Sequence, residues 1–336
     1  MEVRKLSKEE YQNFLPSQNT AQWTVFHNTW WLEIFRKWYR HKYYVEYYGV
    51  TRNNELLAVM PVPVHRKFVL LKVVAPPRLT PYLGPVFRDE ILKGKPPSVM
   101  SKIKEINSYF AKVLRGHYHL VIDYPFSPWH VDLQPYKWAG FRVGVHYTYI
   151  IDLAQSLEEI WAGMDKRRRN EIRKAMSLNP EVVEGDINSF LELNAITFRR
   201  QGINYDLRAL WRRLFEECSS RGQCKVWTAF VGGEPLASLF LVWDKKRAYY
   251  LGGGISENSK GLMSYLLWNA IKFSKEKGLN VFDFEGSDVP SIEGYFRKFG
   301  GTLTPVYYIQ SPISLVLKKQ YNTLVPIKVK HQFGCS

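Results

Sequence analysis

Two stretches of this chain, 179 positions apart, spell the same local structure. VEYYGVTRNNELLAVMPVPV (45–64) alternates as a strand does, turns at Asn53-Asn54 and resumes as a second strand. KVWTAFVGGEPLASLFLVW (225–243) repeats the pattern around Gly232-Gly233. Both leave the turn through Glu-x-Leu-Ala, and Asn-Asn and Gly-Gly supply the positive φ that a tight hairpin needs. The correspondence continues in order. Helical segment 100–115 leads into HLVIDYPF (119–126), and helical segment 262–277 leads through Gly278 into NVFDFEGSD (280–288), so that Asp123 matches Asp283. Lys137-Trp138-Ala139-Gly140 then matches Lys298-Phe299-Gly300-Gly301, each ahead of a strand rich in Tyr, Val and Ile. Each half therefore reads as helices, an antiparallel hairpin, a third strand, a helix, a strand, a short helix and a closing strand. That order predicts an α/β (α+β) fold with two tandem domains on mixed sheets, residues 1–152 and 153–336. A chain of 336 residues is also long enough to hold two cores.

Three cysteines, Cys218, Cys224 and Cys335, are too few and odd in number for a disulfide scaffold, and they point to a reducing, cytoplasmic setting. No Cys/His spacing resembles a zinc site, and no metal or tightly bound cofactor is called for. The N-terminal MEVRKLSKEEYQNF lacks the apolar stretch of a signal peptide, and no transmembrane segment is expected. The net charge is +16, with 21 basic and 11 acidic residues in 1–150 and 26 and 20 in 151–336. A basic surface in both halves favours anionic partners: nucleic acid, nucleotide phosphates or an acidic membrane face. The segment from Lys318 to Lys330 mixes Lys with Leu, Val and Ile, which reads as a closing strand with a solvated edge or as a peripheral membrane contact.

DKRRRNEIRKA (165–175) concentrates the charge. Ser156-Leu157-Glu158-Glu159 has the form of a capping box, so a helix is expected to start there. Projected from Trp161 at 100° per residue, Leu157, Trp161, Met164, Ile172 and Ala175 fall within about 80° of one another, and Arg168 lands inside that apolar stripe. Lys166, Asn170, Arg173 and Lys174 fall on the opposite, solvated side. An inward guanidinium must meet an anion, because burying it unpaired costs several kcal/mol. The anion is either a substrate phosphate, with Arg169 and Arg173 alongside, or an internal carboxylate. A break at Gly163 or Asp165 would reset the register.

The element order is that of the GNAT acyltransferase fold, and two such units in tandem resemble the Fem-type peptidyltransferases and their FemAB-like relatives. The resemblance rests on SLEEIWAGMDKRRRNEIRKA (156–175), with its basic helix, and on the segment from Tyr249 to Gly301, with Asp-Phe-x-Gly at Asp283 and Phe299-Gly300 at its end. It implies an acyl- or aminoacyltransferase acting on an amine of a phosphate-bearing acceptor of cell-envelope, peptidoglycan type. The implied donor is an aminoacyl-tRNA or an acyl-CoA. No charged hairpin follows the basic helix, so the coiled-coil arm of the cross-bridge enzymes is missing. The family lysine of the Phe-Lys-x-x-Phe-Gly motif falls on Phe296, leaving Arg297 or Lys298 to carry the charge. Only the middle glycine of the coenzyme A pyrophosphate motif is kept, as Gly261.

LGGGISENSKGLMSYLL (251–267) joins a strand to a helix, and its amides at Gly252, Gly253, Gly254 and Gly261, with Lys260, are candidate donor contacts. Period-two alternation in Val281-Phe282-Asp283-Phe284-Glu285 places Asp283 and Glu285 on one face. The first half keeps the aspartate as Asp123 but has Pro125 where Glu285 stands, so Glu285 is the candidate base, with capping of the Ser287–Ser291 turn as its other role. Tyr205 and Tyr250 are candidate cleft residues or core. The proline-rich stretch from Pro76 to Pro85 supplies Arg78 and Tyr82 as candidate groove-wall residues. The first half is expected to bind an acceptor or support the fold. A non-catalytic tRNA- or anion-binding module is the alternative.

Overall fold

The computed structural model describes residues 1–18, 21–39, 42–67, 71–200, 202 and 206–312. The chain forms two compact units, dividing inside one strand after His146 and inside another after Thr304. The first unit runs β1 (Glu2–Leu6), α1 (Lys8–Phe14), α2 (Thr29–Tyr39), β2 (Tyr43–Arg52), β3 (Glu55–Lys67), β4 (Leu71–Val74), β5 (Val86–Phe87), α3 (Pro96–His117), β6 (Leu120–Val121), β7 (Tyr124–Pro125) and α4 (Gln134–Trp138). Its sheet has the order β1-β2-β3-β4-β6 with β5 against β3. Asn53 and Asn54 turn the β2–β3 hairpin at φ 50° and 64°, as their position between two alternating runs predicts. The expected strand 119–126 is present only as the two-residue pieces β6 and β7.

Strand β8 (Arg142–Asp152) leads into the second unit: α5 (Leu157–Gly163), α6 (Lys166–Met176), β9 (Glu181–Glu184), α7 (Ile187–Arg200), α8 (Arg208–Ser219), β10 (Cys224–Val231), β11 (Glu234–Trp243), β12 (Arg247–Ile255), α9 (Leu262–Glu276), β13 (Val281–Asp283), α10 (Pro290–Phe296) and β14 (Thr302–Gln310). Its strands follow the order β8-β13-β12-β11-β10-β9, with β12 and β13 parallel and the other neighbours antiparallel. The sheet is thus mixed, as expected. Gly232 and Gly233, at φ 61° and 81°, turn the β10–β11 hairpin.

Helices cover both faces of this sheet. On β11, Phe240 sets its ring against Phe190 of α7 and Trp211 of α8. Its neighbours Leu239 and Leu241, which alternation sends to the other face, join Leu266, Leu267 and Ile271 of α9 in the main core. The helix α7 lies so close to β12 that a Cβ on Gly254 would stand 2.7 Å from the Leu193 carbonyl oxygen. That contact is with backbone, which cannot rotate away. Gly254→Ala is therefore expected to lower unfolding free energy by about 1–3 kcal/mol through overpacking, measured by urea denaturation. An unchanged midpoint would show that α7 has room to retreat.

Candidate functional site

The capping box forms as its spacing predicts. Ser156 Oγ accepts from the Glu159 N–H at 3.1 Å, and the Glu159 carboxylate accepts from the Ser156 N–H at 2.7 Å. Helix α5 nonetheless stops at Gly163, and Asp165 starts α6 afresh by accepting from the Arg167 N–H at 2.8 Å. One continuous helical projection therefore does not hold. Arg168 is still inward, in the register of α6 itself, on the buried face it shares with Ile172 and Ala175.

Arg168 is 2% exposed, and both terminal nitrogens of its guanidinium are engaged from within, while Nε is buried without a hydrogen-bond partner among the described residues. One terminal nitrogen donates to Glu171 Oε2 at 2.6 Å and to Ser264 Oγ, and the other donates to the Tyr295 carbonyl at 3.0 Å. The group sits over the rings of Tyr295 and Phe299, 3.9 and 4.6 Å from their centroids. Ser264 Oγ also meets Glu171 Oε1 at 3.1 Å and the Tyr295 hydroxyl at 2.7 Å. A planar fork of donors suits such a fixed set of acceptors. This corrects the expectation of a phosphate ligand: both terminal nitrogens are engaged inside the protein, and Glu171 is the anion. Arg168 is a positioning residue that ties α6 to α9 and α10.

Arg169 and Arg173 also have local partners. Arg169 donates to the Ala162 and Trp161 carbonyls at 2.7 and 3.4 Å, closing the C-terminus of α5. Arg173 is exposed, donates to Asn170 Oδ1 at 3.1 Å and lies over the Trp161 ring. The cations that converge are others. A shallow groove of about 690 Å³ is lined by Arg167, Asn170, Glu171, Lys174, Ser177, Leu178 and Lys260. Arg167, Asn170, Lys174 and Ser177 follow one another at spacings of three and four, a single stripe of α6. Reading the stripe next to Arg168, rather than Arg168 itself, would have found Arg167 and Lys174 from sequence. Lys260 lines the groove and Gly261 follows it, both in left-handed conformation at φ 42° and 82°. Gly261 is the N-cap of α9, which has no side-chain cap, and a Cβ there would stand 2.6 Å from Glu171 Cγ. The groove thus sets three cations and one carboxylate beside a helix N-terminus.

Gly252, Gly253 and Gly254 lie within β12, not in a loop, and they are buried. The expected loop cradle is therefore confined to Lys260 and Gly261. Beside β12 the parallel partner stops early: pairing runs only from Arg247↔Val281 to Tyr249↔Asp283, while β12 continues to Ile255. Pairing thus ends three residues before Gly252.

Glu285 stands just past that parting. Strand β13 ends at Asp283, and Glu285 has φ 60°, so period-two alternation does not place the two carboxylates as the sequence predicts. Asp283 is fully buried, and its Oδ1 accepts from Thr148 Oγ1 at 2.7 Å and from the Glu285 N–H at 2.8 Å, which fixes the strand end. Glu285 Oε1 is buried with no hydrogen-bond partner among the described residues. Burial first, and the nearby Asp283 carboxylate second, push the Glu285 carboxyl well above the usual carboxylate range.

The remaining candidates are dispersed. Arg297 is largely exposed, 3.5 Å from Glu293 Oε1, whose carboxylate accepts from the Tyr149 hydroxyl at 2.7 Å. Lys298 is half-buried, and its carbonyl accepts from the Asp165 N–H at 3.0 Å. Among the described residues neither cation pairs with Glu285. Tyr250 is 3% exposed, its hydroxyl donates to Met263 Sδ at 3.6 Å, and it belongs to the core. In the first unit Tyr82 is 1% exposed with its ring edge-on to Phe26, and Arg78 is buried. The proline-rich stretch therefore places these two in the interior instead of on an open groove wall. Tyr205 lies outside the described residues.

Residues 164–297 match the family described as Acetyltransferase (GNAT) domain. The second unit carries a GNAT acyltransferase domain. No curated protein matches the sequence. Among solved structures, the whole chain is similar in fold to FemX at TM-score 0.66 and 16% identity, covering 97% of this chain and 100% of that one. It is similar to the C-terminal domain of a putative lysylphosphatidylglycerol synthetase from Agrobacterium fabrum at TM-score 0.60 and 12% identity, covering 95% and 97%. L-PGS from Bacillus licheniformis follows at TM-score 0.53 and 13% identity, covering 94% and 97%. The GNAT domain contains α6, the groove, the parting strands and Glu285. No helix among the described residues is long and apolar enough to cross a membrane.

Replacing Arg168 tests the positioning role. Arg168→Met keeps apolar contact with the two rings but leaves Ser264 and the Tyr295 carbonyl without their donor, so a loss of about 1–3 kcal/mol is expected in urea unfolding. Full retention of stability would show that the α6–α9–α10 junction does not depend on the charge.

Proposed function

We propose that the protein is an N-acyltransferase that moves an acyl or aminoacyl group from a phosphate-bearing donor, an aminoacyl-tRNA or an acyl-CoA, to an amine of a phosphate-bearing, cell-envelope acceptor. The observation that carries this reading is the pairing, within one GNAT domain, of a cationic groove at the start of α9 with the desolvated carboxyl of Glu285. Arg167, Lys174 and Lys260 hold the donor phosphates, where charge-assisted contacts are strongest. The acyl arm lies along Gly252, Gly253 and Gly254, past the end of the β12–β13 pairing. Glu285 takes a proton from the attacking amine as the new C–N bond forms. The C–O bond of an aminoacyl ester or the C–S bond of a thioester then breaks, and the leaving group takes up a proton. Arg168, through Glu171 and Ser264, keeps α6 and α9 at the spacing the groove requires. The first unit supplies the acceptor surface or supports the fold.

The named neighbours favour this class of reaction. A lysylphosphatidylglycerol synthetase is named for joining a lysyl group to a phosphate-bearing lipid. Cytoplasmic action belongs to the same proposal, since the described cysteines, Cys218 and Cys224, are buried and free. The Lys318–Lys330 segment, read from sequence as a closing strand or a peripheral membrane contact, lies outside the described residues.

The test is a donor screen, with charged tRNA and acyl-CoA offered alongside amine acceptors and products read by mass spectrometry. Turnover of one donor is expected. Binding of tRNA with a steep salt dependence and no product from any donor would favour the non-catalytic reading instead. With the active donor in hand, Arg167→Ala combined with Lys260→Ala is expected to raise donor KM by about 100-fold or more, at about 1.5–3 kcal/mol for each of the two charged contacts. Steady-state kinetics check this, and an unchanged KM would remove the groove from donor binding. Glu285→Gln should cut kcat by about 100-fold or more. Because the raised pKa leaves Glu285 protonated as pH falls, wild-type kcat/KM should drop on acidification through a pKa above the ordinary carboxylate range, and the glutamine variant should lack that limb. A variant with wild-type rates would dismiss Glu285 as base.

A further inference from the structure

We propose that the first unit docks on an anionic lipid surface through a patch centred on Trp138. Trp138 is 68% exposed, Val131 75% and Met100 36%. Lys104 links the segments that carry Val131 and Trp138. Its ammonium bonds Asp132 Oδ2 and Gln134 Oε1, each at 2.5 Å, and lies 5.3 Å from the Trp138 ring centroid. Met100 stands one turn before Lys104 on the same side of α3, and Val131 directly precedes Asp132. The apolar side chains are thus presented by α3, α4 and a loop pinned to them.

Exposure here departs from the repeat. Lys137-Trp138 corresponds to Lys298-Phe299, and Phe299 is fully buried under the Arg168 guanidinium. The first copy has put a larger aromatic at the equivalent position and turned it toward water, where its apolar area goes unburied. An indole, apolar over its rings and polar at its N–H, suits a boundary between hydrocarbon and headgroups.

The surrounding charge selects the occupant. Lys137 and Arg142 flank the patch in sequence and are exposed, while the nearest carboxylate, Asp132, is already neutralised by Lys104. Residues 1–150 carry 21 basic and 11 acidic side chains. A second copy of the chain meeting this patch about a two-fold axis would set those positive surfaces against each other. A bilayer rich in anionic phospholipid complements both features, taking the aromatic and aliphatic groups into its interface and attracting the lysines and arginines around them. This inference stands on the first unit alone and does not require the acyl-transfer reading.

The test is flotation of the full chain with vesicles of pure phosphatidylcholine and with vesicles of equal parts phosphatidylcholine and phosphatidylglycerol. Co-flotation is expected with the mixed vesicles only, weakened by added salt. Val131→Asp combined with Trp138→Ser should reduce the bound fraction's partition coefficient by about tenfold or more, while Trp138→Phe retains most of it. Equal binding by the double variant, no binding by the wild type, or a Trp138-dependent dimer in sedimentation velocity without vesicle binding would overturn the proposal. Should the double variant fail to fold by thermal melting, oxidative footprinting of the wild type decides. Protection of Trp138 by the mixed vesicles supports the patch, and unaltered oxidation refutes it.

Discussion

A guanidinium taken out of water has to be met on several sides at once, and the second unit is organised around that requirement at Arg168. Three helices contribute: Glu171 from α6 itself, Ser264 from α9, and the Tyr295 carbonyl and ring from α10. Removing Glu171 would leave the buried guanidinium without its counter-charge, and removing Ser264 would leave it one acceptor short, so the helices are coupled through this one group. The groove inherits that precision. Arg167 and Lys174 take their direction from the turn of helix that Arg168 anchors, and Lys260 and Gly261 take theirs from the helix start that Glu171 and Ser264 hold in place.

The duplicated architecture shows how one folding pattern accommodates two uses. Both hairpins close through two consecutive left-handed residues, Asn53-Asn54 in one copy and Gly232-Gly233 in the other. After the second helix the copies diverge. The second copy keeps β13 short and follows it with the strained, left-handed Glu285, whereas the first has only the fragments β6 and β7 around Asp123. Left-handed backbone occurs in both copies, at Leu79 and Asp123 in the first and at Asn179, Lys260 and Glu285 in the second, and in each case the packed elements on either side maintain it.

Much of this was legible in the residues, and what was not has identifiable causes. Hairpins, the α9 helix and the Ser156 capping box were readable because each rests on local pattern: alternation, period 3.6, or a side chain reaching three residues along. The inward direction of Arg168 was readable too, although the helix used to derive it is broken at Gly163. What escaped was the partner. Glu171 lies three residues away on the same helix, yet Ser264 and Tyr295 are 96 and 127 positions distant, and only tertiary packing brings them in. The glycines at 252–254 read as a loop because glycine is the usual loop residue. Their actual reason is close packing, by the α7 backbone on Gly254, the Trp211 ring on Gly252 and the Tyr250 and Met263 side chains on Gly253, and such tertiary approaches leave no mark in the sequence.

Lys260 and Gly261 form a corner whose consequence reaches past the fold. Two successive residues in the left-handed region can be reached by few alternative chain paths, so the ammonium of Lys260 issues from a rigid elbow instead of a pliant loop. If the groove holds donor phosphates as proposed, a backbone fixed in this way needs little further ordering when they arrive, and selection would follow the spacing of negative charges more than the identity of the molecule bearing them. Donors with quite different bodies but similar phosphate separation would then compete for one berth.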